Sequence, residues 1–207
     1  MIIFNPIKIK LRILLYINMM LLSSCSLFSP VKMEAESNYI LNTIPHPVKT
    51  QQKHPITLFV SLPETVPAYN TTQMAYTIKP YQIAYFIKNR WAETPSQMLH
   101  PLIVQTLQNT GYFHAIVTPP FIGNYDYVLN IQILQLQQNF TYHPAKLQLT
   151  WRVQINKIAT GKVIATKLFS VRETIPQKSP YGGVIAANRA TEKLLAQLVE
   201  FCLQKIH

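Results

Sequence analysis

Few side chains in this sequence are equipped for chemistry. It has two cysteines, Cys25 and Cys202, one aspartate, Asp126, and six histidines, His46, His54, His100, His114, His143 and His207. The histidines form no HExxH word and no close metal-ligand pair, which leaves no candidate metal site. There is no phosphate-binding glycine loop, no GxSxG elbow and no pair of carboxylates placed for acid–base work. These absences point away from an enzyme and from a bound cofactor. Cys25 alone has a setting that gives its thiol work to do. It follows Leu22-Ser23-Ser24 at the end of an apolar run. Small side chains at Ser23 and Ser24 let a peptidase approach the backbone, and the thiol behind them can accept a diacylglycerol.

The residues upstream fit that chemistry. Lys8, Lys10 and Arg12 precede a ten-residue run from Ile13 to Leu22, the charged and apolar regions of a secretory signal. The run is too short for a spanning helix, which needs about 20 apolar residues. The word Leu22-Ser23-Ser24-Cys25 resembles the bacterial lipobox, with cleavage between Ser24 and Cys25 and a covalent lipid on Cys25 as the only attached group. Each buried methylene contributes roughly 0.8 kcal/mol, so two or three acyl chains anchor where one would not. Ser26, rather than Asp, follows the cysteine. By analogy with enteric sorting this favours the outer membrane, with the domain facing the periplasm. Cys202 then lacks an intramolecular partner, and on an apolar helix face it reads as a small core residue.

With the three signal cations set aside, 16 basic residues face 8 acidic ones, a balance of +8. Such a charge suits anionic lipid, nucleic acid or an acidic protein. Export removes nucleic acid from that set. Hydrophobic residues make up 48% of 207 positions, enough for one domain with a real core. Residues 1–24 read as the signal peptide, 25–55 as the lipidated N-terminus and a Pro-bearing tether, and 56–207 as the domain.

Within that domain the apolar period is mostly two. Ile56, Leu58, Val60 and Leu62, then Met74, Tyr76 and Ile78, then Tyr81, Ile83, Tyr85 and Ile87 predict three short strands. Tyr39-Ile40-Leu41 could add an earlier one. Thr94 with Gln97 predicts a capping box, and Pro95 suits the first helical position. Met98, Leu99, Leu102, Ile103 and Leu107 carry the helix's apolar stripe, and Gly111 stops it. Pro101 predicts a kink, or a helix that begins there. Tyr127, Leu129, Ile131 and Ile133 change phase at Leu134 and Leu136, which predicts a β-bulge. Leu147 to Ile155 alternate cleanly, Ala159-Thr160-Gly161-Lys162 makes a turn into Val163–Val171, and a final helix spans about Gly183 to Ile206. The order predicts an α+β fold, a largely antiparallel sheet covered by two helices in a single domain.

Several words resemble the ABC-type transport auxiliary lipoprotein family, the PqiC-like outer-membrane lipoproteins. They are Asn38-Tyr39-Ile40-Leu41, Asn89-Arg90-Trp91-Ala92-Glu93-Thr94-Pro95 with Gln97-Met98-Leu99, Gly111-Tyr112-Phe113, Tyr125-Asp126-Tyr127-Val128-Leu129 and Thr160-Gly161-Lys162-Val163-Ile164-Ala165. The resemblance implies a non-catalytic accessory in intermembrane phospholipid transport. Its implied partners are an MCE-domain protein and an inner-membrane ABC permease with its ATPase. A stand-alone lipid-binding carrier and a structural envelope lipoprotein of a secretion complex are the alternatives, and a homo-oligomer stays open. Arg90 and Trp91, with Met98 nearby, form the candidate partner surface, because Trp and Arg are favoured interface anchors. The competing reading, favoured for Trp91, is that it closes the core where strand meets helix.

Overall fold

The computed structural model describes residues 35–46, 50 and 52–207, together with Lys10 and Tyr16. Ser24, Cys25 and the rest of the expected signal peptide lie outside the described residues. The strands are β1 (Ser37–Tyr39), β2 (His54–Val60), β3 (Glu64–Thr65), β4 (Gln73–Thr77), β5 (Ala84–Trp91), β6 (Phe113–Val117), β7 (Tyr127–Asn139), β8 (Lys146–Lys157) and β9 (Lys162–Thr174). Among the described residues from 35 onward two α-helices accompany them, α1 (Pro95–Gln108) and α2 (Pro180–Lys205). All nine strands join one mixed sheet.

The α+β expectation holds, but a largely antiparallel sheet does not form. Of the eight strand pairings, five are parallel and three antiparallel. The reason lies along one edge of β7. Leu58 of β2 pairs with Tyr127, Glu64 of β3 with Gln132, and Ala75 of β4 with Gln137, all parallel. From residue 54 to 77 the chain therefore climbs once beside β7. The proline-marked breaks at Pro63 and Pro67 bend the chain outward without reversing it, and Pro67 opens a 3₁₀ turn, Pro67–Tyr69. Only β4–β5, β7–β8 and β8–β9 turn back on themselves.

Local signals fared better. The bulge falls between Ile133 and Gln135 in the β7–β8 ladder, where the apolar phase slips. Gly161 has φ +64, a left-handed conformation that suits glycine, and it closes the β8–β9 turn. Gln97 Oε1 accepts the Thr94 backbone N–H at 3.1 Å and the Thr94 hydroxyl at 2.8 Å, opening α1. Pro101 lies inside an unbroken helix. It is exposed, as is Gln97, so the carbonyl that loses its donor faces water. Tyr81 departs from the expected strand, with φ +63 in the turn between β4 and β5.

One sheet face is buried under the helices. Leu58, Leu99, Leu129, Leu149, Trp151 and Leu194 each have no solvent exposure. Ala186, Ala187 and Ala190 are equally buried on α2 and allow it to lie close to the sheet. Part of the segment read as a tether belongs to the same compact unit, Glu36–His207. There β1 pairs with β5, Leu41 is buried, and Asn188 of α2 holds the next stretch. Its Oδ1 accepts the Asn42 N–H at 2.9 Å, and its Nδ2 donates to the Ile40 carbonyl at 3.3 Å. No helix among the described residues is long and apolar enough to cross a membrane.

Candidate interaction surface

The surface expected from Arg90, Trp91 and Met98 does not assemble on the outside. Trp91 and Met98 are each 4% exposed and belong to the core. Trp91 ends β5 beside Tyr39 of β1, and Met98 lies on the buried stripe of α1. Arg90 alone reaches solvent, with Nε 3.4 Å from Glu36 Oε2. The strand's alternation turns the tryptophan inward while its neighbour turns out.

The other residues singled out for chemistry have structural work. Asp126 Oδ2 accepts the Thr57 N–H at 2.7 Å, while its own N–H donates to the Thr57 carbonyl at 2.9 Å, fastening β2 to the start of β7. His54 stacks on Tyr112 with ring centroids 4.3 Å apart. Among the described residues no three or more His, Cys, Asp or Glu side chains gather to hold a metal.

Cys202 is fully buried, and burial pushes its thiol from 9.0 up to about 12. The unfolded chain releases that proton above pH 9, whereas the folded chain keeps it. The buried neutral thiol therefore contributes stability below pH 9 that is lost as pH rises toward 12, by about 1.4 kcal/mol per pH unit. Cys202→Ala should flatten the alkaline fall in urea-unfolding stability, while native Cys202 should resist Ellman's reagent until the chain unfolds.

Two open features remain. The outward faces of β7 and β8 form a ladder of amides: Ser61 donates to Asn130 Oδ1 at 2.8 Å, Arg152 to Gln132 Oε1 at 3.1 Å, and Asn139 to Gln148 Oε1 at 3.0 Å. Leu62 and Glu64 rim the groove above Gln132, Arg152 and Gln154. Beside this face runs β9, which among the described strands pairs with β8 alone. Its first half carries exposed Val163, Ile164 and Leu168 together with Lys162 and Lys167. A free strand edge with apolar and cationic side chains can add a strand from another chain. Sequence reasoning noted the cations but had no means of seeing which edge was free.

A family model described as the ABC-type transport auxiliary lipoprotein component matches residues 39–199. The chain belongs to that family. It is a family of membrane-anchored auxiliary components of ABC-type transport, and not a known enzyme family. No curated protein matches the sequence. Among solved structures, protein XCC0632 from Xanthomonas campestris, of the family model DUF330, is similar with a TM-score of 0.74 at 15% identity, covering 82% of this chain and 96% of that one. A second, an uncharacterized protein, gives 0.61 at 16% identity, covering 81% and 99%. At these identities the likeness establishes the fold. In this auxiliary lipoprotein the family words fall at junctions: β1, the passage from β5 into α1, the stop at Gly111 with φ +68, the start of β7, and the β8–β9 turn.

Proposed function

We propose that this protein is a non-catalytic, lipid-anchored accessory of an intermembrane phospholipid transport system. In this reading the chain is cleaved behind Ser24, acylated on Cys25 and tethered to the outer membrane, where the domain faces the periplasm. It docks an MCE-domain protein, or the ABC permease with its ATPase. The family match over residues 39–199 carries the reading, and the lipobox at Leu22–Cys25 supports the anchor. The apolar sheet face is filled by side chains of both helices, so a partner is better met by the free edge of β9 and the amide face beside it.

The test is a crosslinking pull-down of the full lipoprotein from envelope membranes beside a Cys25→Ala control. An MCE-domain protein recovered with the native chain, and depleted in the control, is the expected result. Recovery of cell-wall or secretion components alone would overturn it. Leu168→Glu offers a sharper probe, since Leu168 is 60% exposed and its loss should leave the fold intact. That variant should weaken partner recovery about tenfold, the effect of roughly 1.4 kcal/mol at a docking edge.

A further inference from the structure

Six consecutive residues at the β4–β5 turn, Ile78-Lys79-Pro80-Tyr81-Gln82-Ile83, are all exposed. Tyr81 stands wholly in solvent, without a hydrogen bond or ring contact among the described residues, and its backbone takes the left-handed conformation that large side chains avoid. Ile78 is 60% exposed. The β7–β8 turn lies alongside, joined by the Phe140 N–H donating to the Thr77 carbonyl at 2.9 Å. It adds half-open Tyr142, with the Arg172 guanidinium 6.0 Å from its ring, and Phe140, with Lys178 Nζ 5.7 Å from its ring. Lys79, Lys146 and His143 complete this end of the sheet. No Asp or Glu occurs between residues 65 and 92 or between 127 and 172. The nearby acids are occupied, Glu173 by Lys193 and Glu36 by Arg90.

The chain enters the domain on a strand that runs away from this end. Strand β1 runs parallel to β5, pairing Ser37 with Asn89 and Tyr39 with Trp91. Ser37 lies level with Asn89, five residues beyond the start of β5 at Ala84, and because the two strands are parallel the residue before Ser37 leads back toward the turn. Glu36 lies eleven positions after Cys25, a reach of at most about 40 Å. The other exposed apolar tip, Phe121-Ile122, precedes β7 and lies at the opposite end of that strand.

From this we infer that the β4–β5 turn, with the neighbouring β7–β8 turn, is a membrane-seating face that rests in the headgroup region of an anionic phospholipid bilayer and fixes the orientation of the domain. Tyrosine and isoleucine supply an interfacial wedge, and the carboxylate-free cationic rim attracts anionic headgroups. The inference rests on the proposed anchor at Cys25, which brings the bilayer within reach of this end.

The test uses the full lipidated chain reconstituted into phosphatidylglycerol-containing vesicles. Its only other thiol, Cys202, is buried, so a nitroxide can be placed at Tyr81→Cys, with Ile122→Cys as the reference. A nitroxide in the bilayer gains oxygen accessibility and loses accessibility to a water-soluble nickel chelate. The expected result is that pattern at position 81 and not at 122, weakened by Lys79→Glu and in vesicles of phosphatidylcholine alone. A water-exposed nitroxide at 81 on chain that floats with the vesicles overturns the inference and leaves the anchor standing. Loss of accessibility to both reagents means that a second copy of the chain covers the turn, and overturns it as well. Chain that fails to float at all defeats the anchor reading and this inference with it.

Discussion

Replacing Trp151 with alanine should cost about 4 kcal/mol of folding free energy, read as a lowered urea midpoint at unchanged slope. Trp151 has no solvent exposure and sits mid-sheet, paired with Ile133 on one side and Phe169 on the other. Ile133 is the last residue before the bulge, so the indole fills space where the ladder is already irregular. A loss of that size is a large share of the 5–15 kcal/mol that holds a typical domain together. The indole N–H has no hydrogen-bond partner among the described residues. Trp151→Phe removes that orphaned donor and keeps a six-membered ring in the site, so its cost should fall well below that of the alanine variant. A phenylalanine variant as unstable as the alanine one would mean that the N–H is hydrogen-bonded in the folded protein.

Gly183→Ala should destabilise the protein by about 2 kcal/mol, although alanine is the better helix former by about 1 kcal/mol. An added Cβ would come within 1.9 Å of the Gln138 side chain, whose carboxamide lies between the first turn of α2 and the end of β7. Gln138 is 2% exposed, and its Nε2 donates to the Pro180 carbonyl at 3.3 Å. Displacing the amide breaks that bond in a place where water cannot replace it. A double-mutant cycle with Gln138→Ala separates crowding from a general helix effect. Once the side chain is gone, Gly183→Ala should become neutral or stabilising. An unchanged penalty in the Gln138→Ala background would sink the argument.

What the sequence made legible was local. The Thr94–Gln97 start of α1, the phase slip at Leu134 and the turn at Gly161 each depend on residues within a few positions of one another. Strand direction depends on a partner far away: Leu58 meets Tyr127 and Ala75 meets Gln137. An alternating run says which face is buried but not which way its neighbour runs. Read alone, short strands between prolines look like hairpins. The same limit misplaced the candidate surface. Arg90-Trp91 and Met98 have the composition of an interface, and only the pairing of β5 with β1 and the packing of α1 send Trp91 and Met98 inward. Asn188 gave no signal either, because its role is to hold residues 40–43 across the fold.

Strand β7 also governs the order in which the chain can fold. Strands β2, β3 and β4 all bind the same edge of it, yet it begins at residue 127, some 50 positions after β4 ends. Before β7 arrives, the leading half has only the short β1–β5, β4–β5 and β2–β6 ladders to form. Pairings this distant close slowly, because the loop entropy is lost before the contacts are gained. Under the proposed export, N-terminus first, that delay would help the chain through the membrane. The edge that β2, β3 and β4 share does not exist until β7 has followed.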